Sequence, residues 1–139
     1  MNRSRIRTCF ISAALDAKLG NIRDVLAENS VRILGIENVE IGQPVFTNVL
    51  ELINSADLVI GVLSRSHTSQ NVLFELGLAI GRGKQVAIFV PPKSDLVPFD
   101  LQKFLVIRTN LANRDAIAFA LEQILNAPER SSKPVSDLP

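Results

Sequence analysis

Six consecutive residues in the middle of the chain, Leu58-Val59-Ile60-Gly61-Val62-Leu63, include no polar side chain. A strand with one wet face alternates apolar and polar residues, so this run is predicted to be a strand buried on both faces. Such burial is the signature of a parallel sheet with helices on either side, in which the flanking chain alternates between strand and helix. The apolar spacing does alternate. Residues 6–12 read as a first strand, and Leu19, Ile22, Val25 and Leu26 then fall at helical spacing. Residues 31–36 read as a short second strand. Val45, Val49, Leu52 and Ile53 mark a second helix, with Pro44 in its first turn, where a missing N–H costs nothing. After the 58–63 strand, Val72, Leu73, Leu76, Ala79 and Ile80 form a third helical stripe, stopped by Gly81 and Gly83. Residues 86–90 are a further buried strand ended by Pro91-Pro92, residues 104–107 a last strand, and Ile117, Ala120, Leu121, Ile124 and Leu125 a closing helix.

The expected fold is therefore α/β: a flavodoxin-like three-layer sandwich around a five-stranded parallel sheet in the order 2-1-3-4-5. Such sheets hold ligands at the carboxyl ends of strands one and three. Two loops start there, Ser12-Ala13-Ala14 and Ser64-Arg65-Ser66-His67-Thr68. Function is to be sought in those loops and in the helix that comes after the second.

Composition narrows the choices. With 139 residues, the chain fits one domain, and a net charge of +1 offers no basic stripe for a nucleic-acid backbone. One cysteine and one histidine make neither an internal disulfide nor a structural zinc site. No apolar run approaches the ~20 residues that span a bilayer. Arg3, Arg5 and Arg7 before an apolar stretch imitate a secretory signal, but the stretch runs straight into Asp16 and Lys18 and is better explained as the first strand. Without that signal, a cytoplasmic location is expected. From residue 127 to 139 the composition turns to proline, serine and charge, as in a tail or linker.

The stretch richest in chemistry is Ser69-Gln70-Asn71-Val72-Leu73-Phe74-Glu75-Leu76-Gly77. Glu75 falls on the flank of the third helix's apolar stripe, at the boundary between core and crevice, where partial desolvation raises a carboxylate's pKa. An acidic residue in an early helical turn also serves the helix dipole, and spacing alone does not separate the two roles. Ser69 is a candidate N-cap whose hydroxyl could face a ligand instead. In the loop before it, the Arg65 guanidinium suits phosphate oxygens, and His67 could meet a phosphate or a base. Cys9, on a central strand, reads as a small buried hydrophobe.

Asn71-Val72-x-Phe74-Glu75-Leu76-Gly77-x-Ala79, followed by Gly83-Lys84 and an apolar strand, resembles the signature of the TIR-like and nucleoside 2-deoxyribosyltransferase-like superfamily. The Asn54-Ser55-Ala56-Asp57 lead-in to the buried strand and the Cys9-Phe10-Ile11-Ser12 first strand are similar too. The resemblance spans roughly residues 6 to 125, and Asn71-Val72 in place of a Trp-Cys pair leans towards the bacterial nucleotide-binding branch. It implies that Glu75 is the catalytic glutamate. It also implies that Phe10, Ser12 and Ala13, at the end of the first strand, line a nucleotide pocket; Ser64 and Arg65 from the loop after the buried strand, with Ser69 and Asn71 at the start of the third helix, complete the candidate substrate-binding residues. Ser69 matches the serine of TIR domains at a position where many deoxyribosyltransferases carry aspartate.

The function implied by this resemblance is first that of an NAD glycohydrolase: a TIR-like domain over residues 1–126 that takes NAD as substrate and needs no metal or further cofactor. It would release nicotinamide and an ADP-ribose product in bacterial antiviral defence or signalling. Breaking a bond between ribose and base builds oxocarbenium character that one carboxylate can stabilise or attack. Nicotinamide leaves as a neutral base without a second, acidic carboxyl, which favours NAD. The alternatives are a nucleotide-binding or assembly module with little turnover, and a nucleoside deoxyribosyltransferase or deoxynucleotide N-hydrolase. Relatives also stack protomers through a segment matching Glu40-Ile41-Gly42-Gln43-Pro44, so self-association, and attachment to other domains of a longer protein, are expected.

Overall fold

The apolar run forms strand β3 (Leu58–Val62), and all five of its residues are buried. In the computed structural model, residues 6–13, 17–35, 45–63, 69–93 and 105–127 are described, without the side chains of 45–47 and 69–70. The chain order is β1 (Thr8–Ala13), α1 (Gly20–Glu28), β2 (Arg32–Leu34), α2 (Val45–Ser55), β3, α3 (Ser69–Gly81), β4 (Gln85–Val90), β5 (Leu105–Arg108) and α4 (Arg114–Leu125). The strands form one parallel sheet in the order β2-β1-β3-β4-β5, as expected. β3 lies in the middle, with Ser12 opposite Gly61 on one side and Ile88 opposite Gly61 on the other.

Alternate residues of the central strands feed two cores. Phe10, Val59 and Ile88 pack with Leu52 and Ile53 of α2 and Leu76 of α3. Cys9, Ile60 and Phe89 point the other way, onto Ile22 and Leu26 of α1 and Leu121 of α4. Burial of this kind contributes roughly 1.5–3 kcal/mol for each fully buried large aliphatic or aromatic side chain. Both faces are therefore dry, which is why β3 and β4 show no alternation.

The ends of the elements differ from expectation where pairing partners decide them. β1 starts at Thr8, not at residue 6, because its first partner is Arg32 of the short edge strand β2. β2 itself is three residues long, with Arg32 exposed, since it has β1 alone as a described partner. Ala120 is only half-buried, and the core face of α4 is Ile117, Leu121, Ile124 and Leu125. Pro44 and Phe104 lie outside the described residues.

Local chemistry closes the helices. After α3, Gly83 has φ +73°, its N–H donates to the Ile80 carbonyl at 3.0 Å, and the Lys84 N–H donates to Ala79 at 3.0 Å. This is a Schellman ending, in which a left-handed residue lets two late carbonyls be satisfied. α1 ends the same way with Ser30 at φ 63°, its N–H donating to Ala27 at 3.0 Å and the Val31 N–H to Leu26 at 2.9 Å. The Lys84 ammonium donates to the last-turn carbonyl of Asn54 at 2.8 Å. The Gly81-Arg82-Gly83-Lys84 stretch thus works as a helix stop and a tie to α2.

Candidate active site at the carboxyl ends of β1 and β3

α3 lies close against the sheet because Gly61 has no side chain. A Cβ there would sit 2.6 Å from both terminal carbons of Leu76. The Leu76 side chain occupies that space and is itself fully buried. The next residue back along the helix is Glu75, and the sheet neighbour of Gly61 is Ser12. The close approach of helix and strand therefore sets their meeting. Ser12 donates its hydroxyl to Oε1 of Glu75, joining residues 63 apart in sequence.

The two partners have different surroundings. Ser12 is 2% exposed, a polar side chain almost wholly inside the molecule. Glu75 is half-buried. Burial pushes its carboxyl above its ordinary value, and the Ser12 hydroxyl pulls it part of the way back by stabilising the charged form. A helix-dipole residue on open surface would carry no such desolvation. The result is a half-buried carboxylate, anchored by one oxygen and raised in basicity.

The other expected site residues are distributed unevenly. Asn71 is exposed one turn before Glu75, so the two share a face of α3. Phe10 shares Ser12's face of β1 but lies two residues deeper, 5% exposed among core side chains. Ala13 belongs to the opposite face, against the core of α1 and α4, because successive strand residues alternate. Ser64, Arg65 and His67 lie outside the described residues, as does the side chain of Ser69. Cys9 is fully buried on the face away from Glu75, and burial pushes its thiol up to about 12. Among the described residues no three His, Cys, Asp or Glu side chains gather as metal ligands, and no helix is long and apolar enough to cross a membrane.

Asp57 receives a structural explanation. Its Oδ2 accepts the N–H groups of Arg7 at 2.8 Å and Thr8 at 3.2 Å, while its own N–H donates to the Thr8 hydroxyl at 3.1 Å. The Thr8 hydroxyl donates in turn to the Ser55 carbonyl at 3.0 Å. Asp57 thus fastens the start of β3 to the start of β1, at the end of the sheet remote from Glu75.

Sequence reading missed a cavity of about 720 Å³ at the same carboxyl edge, over Val62, Leu63, Phe89 and Val90. Its rim includes Lys18 and Asn21 from the β1–α1 region and Thr109 and Asn110 after β5. Asn21 is held there by donating to the Leu111 carbonyl at 2.9 Å. The available signal was position alone, since these residues lie just beyond strand ends in a fold that binds ligands there. A second cavity, of about 700 Å³, lies along β4, β5 and α4 and includes the exposed Phe119.

No protein-family model matches the sequence, and no curated protein does. The fold does have solved counterparts. A 2-deoxyribosyltransferase from Bacillus psychrosaccharolyticus superposes with a TM-score of 0.64 at 19% identity, covering 88% of this chain and 99% of that one. The CMP N-glycosidase of Clostridium botulinum gives 0.64 at 17% identity, over 86% and 100% of the two chains. A 2-deoxyribosyltransferase from Leishmania mexicana gives 0.56 at 21% identity, over 84% and 96%. The chain thus has the flavodoxin-like fold seen in nucleoside deoxyribosyltransferases. At 17–21% identity these likenesses are likenesses of fold.

Proposed function

We propose that the protein is an N-glycosidase or glycosyl transferase acting on a nucleoside or nucleotide, with Glu75 as its catalytic carboxylate. The observation that carries this reading is the half-buried, Ser12-anchored carboxylate at the carboxyl ends of the central strands. The named counterparts, two deoxyribosyltransferases and a CMP N-glycosidase, support the reaction class. They also favour the alternative over the NAD reading. In the proposed step, an oxygen of Glu75 bonds to the anomeric carbon while the glycosidic electron pair departs with the base, which is protonated from solvent. Water, or an acceptor base, then bonds to the anomeric carbon and gives up a proton to solvent as the bond to Glu75 breaks and its carboxylate is restored.

NAD remains a second reading because the bonded partner of Glu75 is the Ser12 hydroxyl, not an acid, and the one carboxyl on the described elements packed against α3, Glu51, is exposed. Incubation with CMP, deoxynucleosides, deoxynucleoside monophosphates and NAD, with chromatographic resolution of products, separates the readings. Free nucleobase or base exchange is the expected result, and nicotinamide release alone would reverse the preference. Glu75→Gln should lower turnover by about 10²–10³ or more while leaving substrate binding nearly intact. A folded Glu75→Gln protein that turns over at the parent rate would end the assignment.

A further inference from the structure

We propose that Ser12 is a positioning residue for Glu75: its buried hydroxyl holds Oε1, which leaves Oε2 as the oxygen presented to the sugar. This rests on the N-glycosidase reading and departs from the resemblance, which places Ser12 among the residues lining the substrate pocket. A serine has a single O–H to donate, and here it goes to Glu75. With 2% exposure, Ser12 has almost no surface left for a ligand. Its position is fixed from below by the sheet and from the side by α3. Gly61 lies opposite it, and Leu76 fills the space where a Gly61 side chain would stand.

The consequence is orientation and charge together. A glutamate with two free oxygens and three rotatable bonds samples many arrangements, whereas one tied through Oε1 turns Oε2 in a single direction. Fixing a reacting atom this way is worth much in rate, since a misplacement of about 1 Å costs roughly 10²-fold. The same donor stabilises the ionised carboxylate that nucleophilic attack requires. Other charges play little part on the described elements around it. β3 and β4 carry no ionisable side chain, α2 carries the exposed Glu51, and the only such group of β1 is Cys9, on the opposite face.

The test uses protein labelled with ¹³C at glutamate side-chain carboxyls, with the Glu75 resonance assigned through Glu75→Gln. In Ser12→Ala the Glu75 midpoint should move up, and the acid limb of base release should move up with it. kcat should fall roughly 10–100-fold while KM changes little. Ser12→Thr, which keeps the hydroxyl, should restore the midpoint and most of the rate; melting curves show which variants are folded, and if the threonine variant is not, the alanine data decide. A folded Ser12→Ala protein whose Glu75 titrates as in the parent overturns the proposal. So does one whose loss lies in KM alone, because that marks a direct substrate contact. If the parent releases no base from any nucleotide, the enzymatic reading fails, while the titration still decides whether Ser12 governs Glu75.

Discussion

Glu75 concentrates the tension between stability and chemistry. Its carboxyl is raised by burial, so between the ordinary carboxylate range, about pH 4.3, and its own higher value the folded chain holds more protons than the unfolded one. Over that window stability falls as pH rises, and the Glu75 contribution stays unfavourable at neutral pH. A glutamine in its place would accept the Ser12 hydrogen bond without burying a charge. Glu75→Gln is therefore expected to melt at the same or a higher temperature than the parent at pH 7, and the difference should shrink towards pH 4. A clear loss of melting temperature at pH 7 would mean that the carboxylate stabilises the fold. Asp57 shows the opposite case: an acidic residue in an equally suggestive motif, whose contacts to Arg7 and Thr8 account for it by structure alone.

At the scale of the element, one missing side chain governs how a helix meets a strand. Gly61 lies in the middle of β3 at a position that needs no unusual backbone angle, so its value is in space. Gly61→Ala would put a carbon 2.6 Å from the tips of Leu76, a side chain fully enclosed by the core. Overpacking of that kind costs about 1–3 kcal/mol. It should also loosen the Ser12–Glu75 bond, because α3 has to move outward. Denaturant unfolding of Gly61→Ala, with and without Leu76→Val to make room, checks this. The second substitution should recover part of the loss, and equal destabilisation with and without it would show that α3 does not rest on Gly61. The Ser30 ending of α1 teaches a related lesson, since glycine is the usual residue at φ 63° and a serine there gave no warning of a turn.

For the whole molecule, the order β2-β1-β3-β4-β5 makes β3 the strand on which both cores depend. Ile60 is fully buried there, whereas Leu105, at the start of edge strand β5, is 46% exposed. Ile60→Ala should cost roughly 2–5 kcal/mol by chemical denaturation and Leu105→Ala under about 1 kcal/mol. Comparable losses would contradict the central place of β3. Much of this was legible in residue order alone. The unbroken apolar run at 58–63 pointed to two covered faces, the alternating periods to helices between parallel strands, and the flanking position of Glu75 to a half-buried carboxylate. Those are local signals, because periodicity reports which faces of an element avoid water. The pairing of Ser12 with Glu75 is not local. Strand alternation says that Ser12 and Ala13 face opposite ways, but which of them meets α3 depends on the side of the sheet to which that helix returns. Likewise, Gly61 reads as an ordinary small residue until Leu76 is seen in its place. Contacts between segments 15 or 63 residues apart are set by strand register, crossover side and close packing, and these exist only once the whole sheet has assembled.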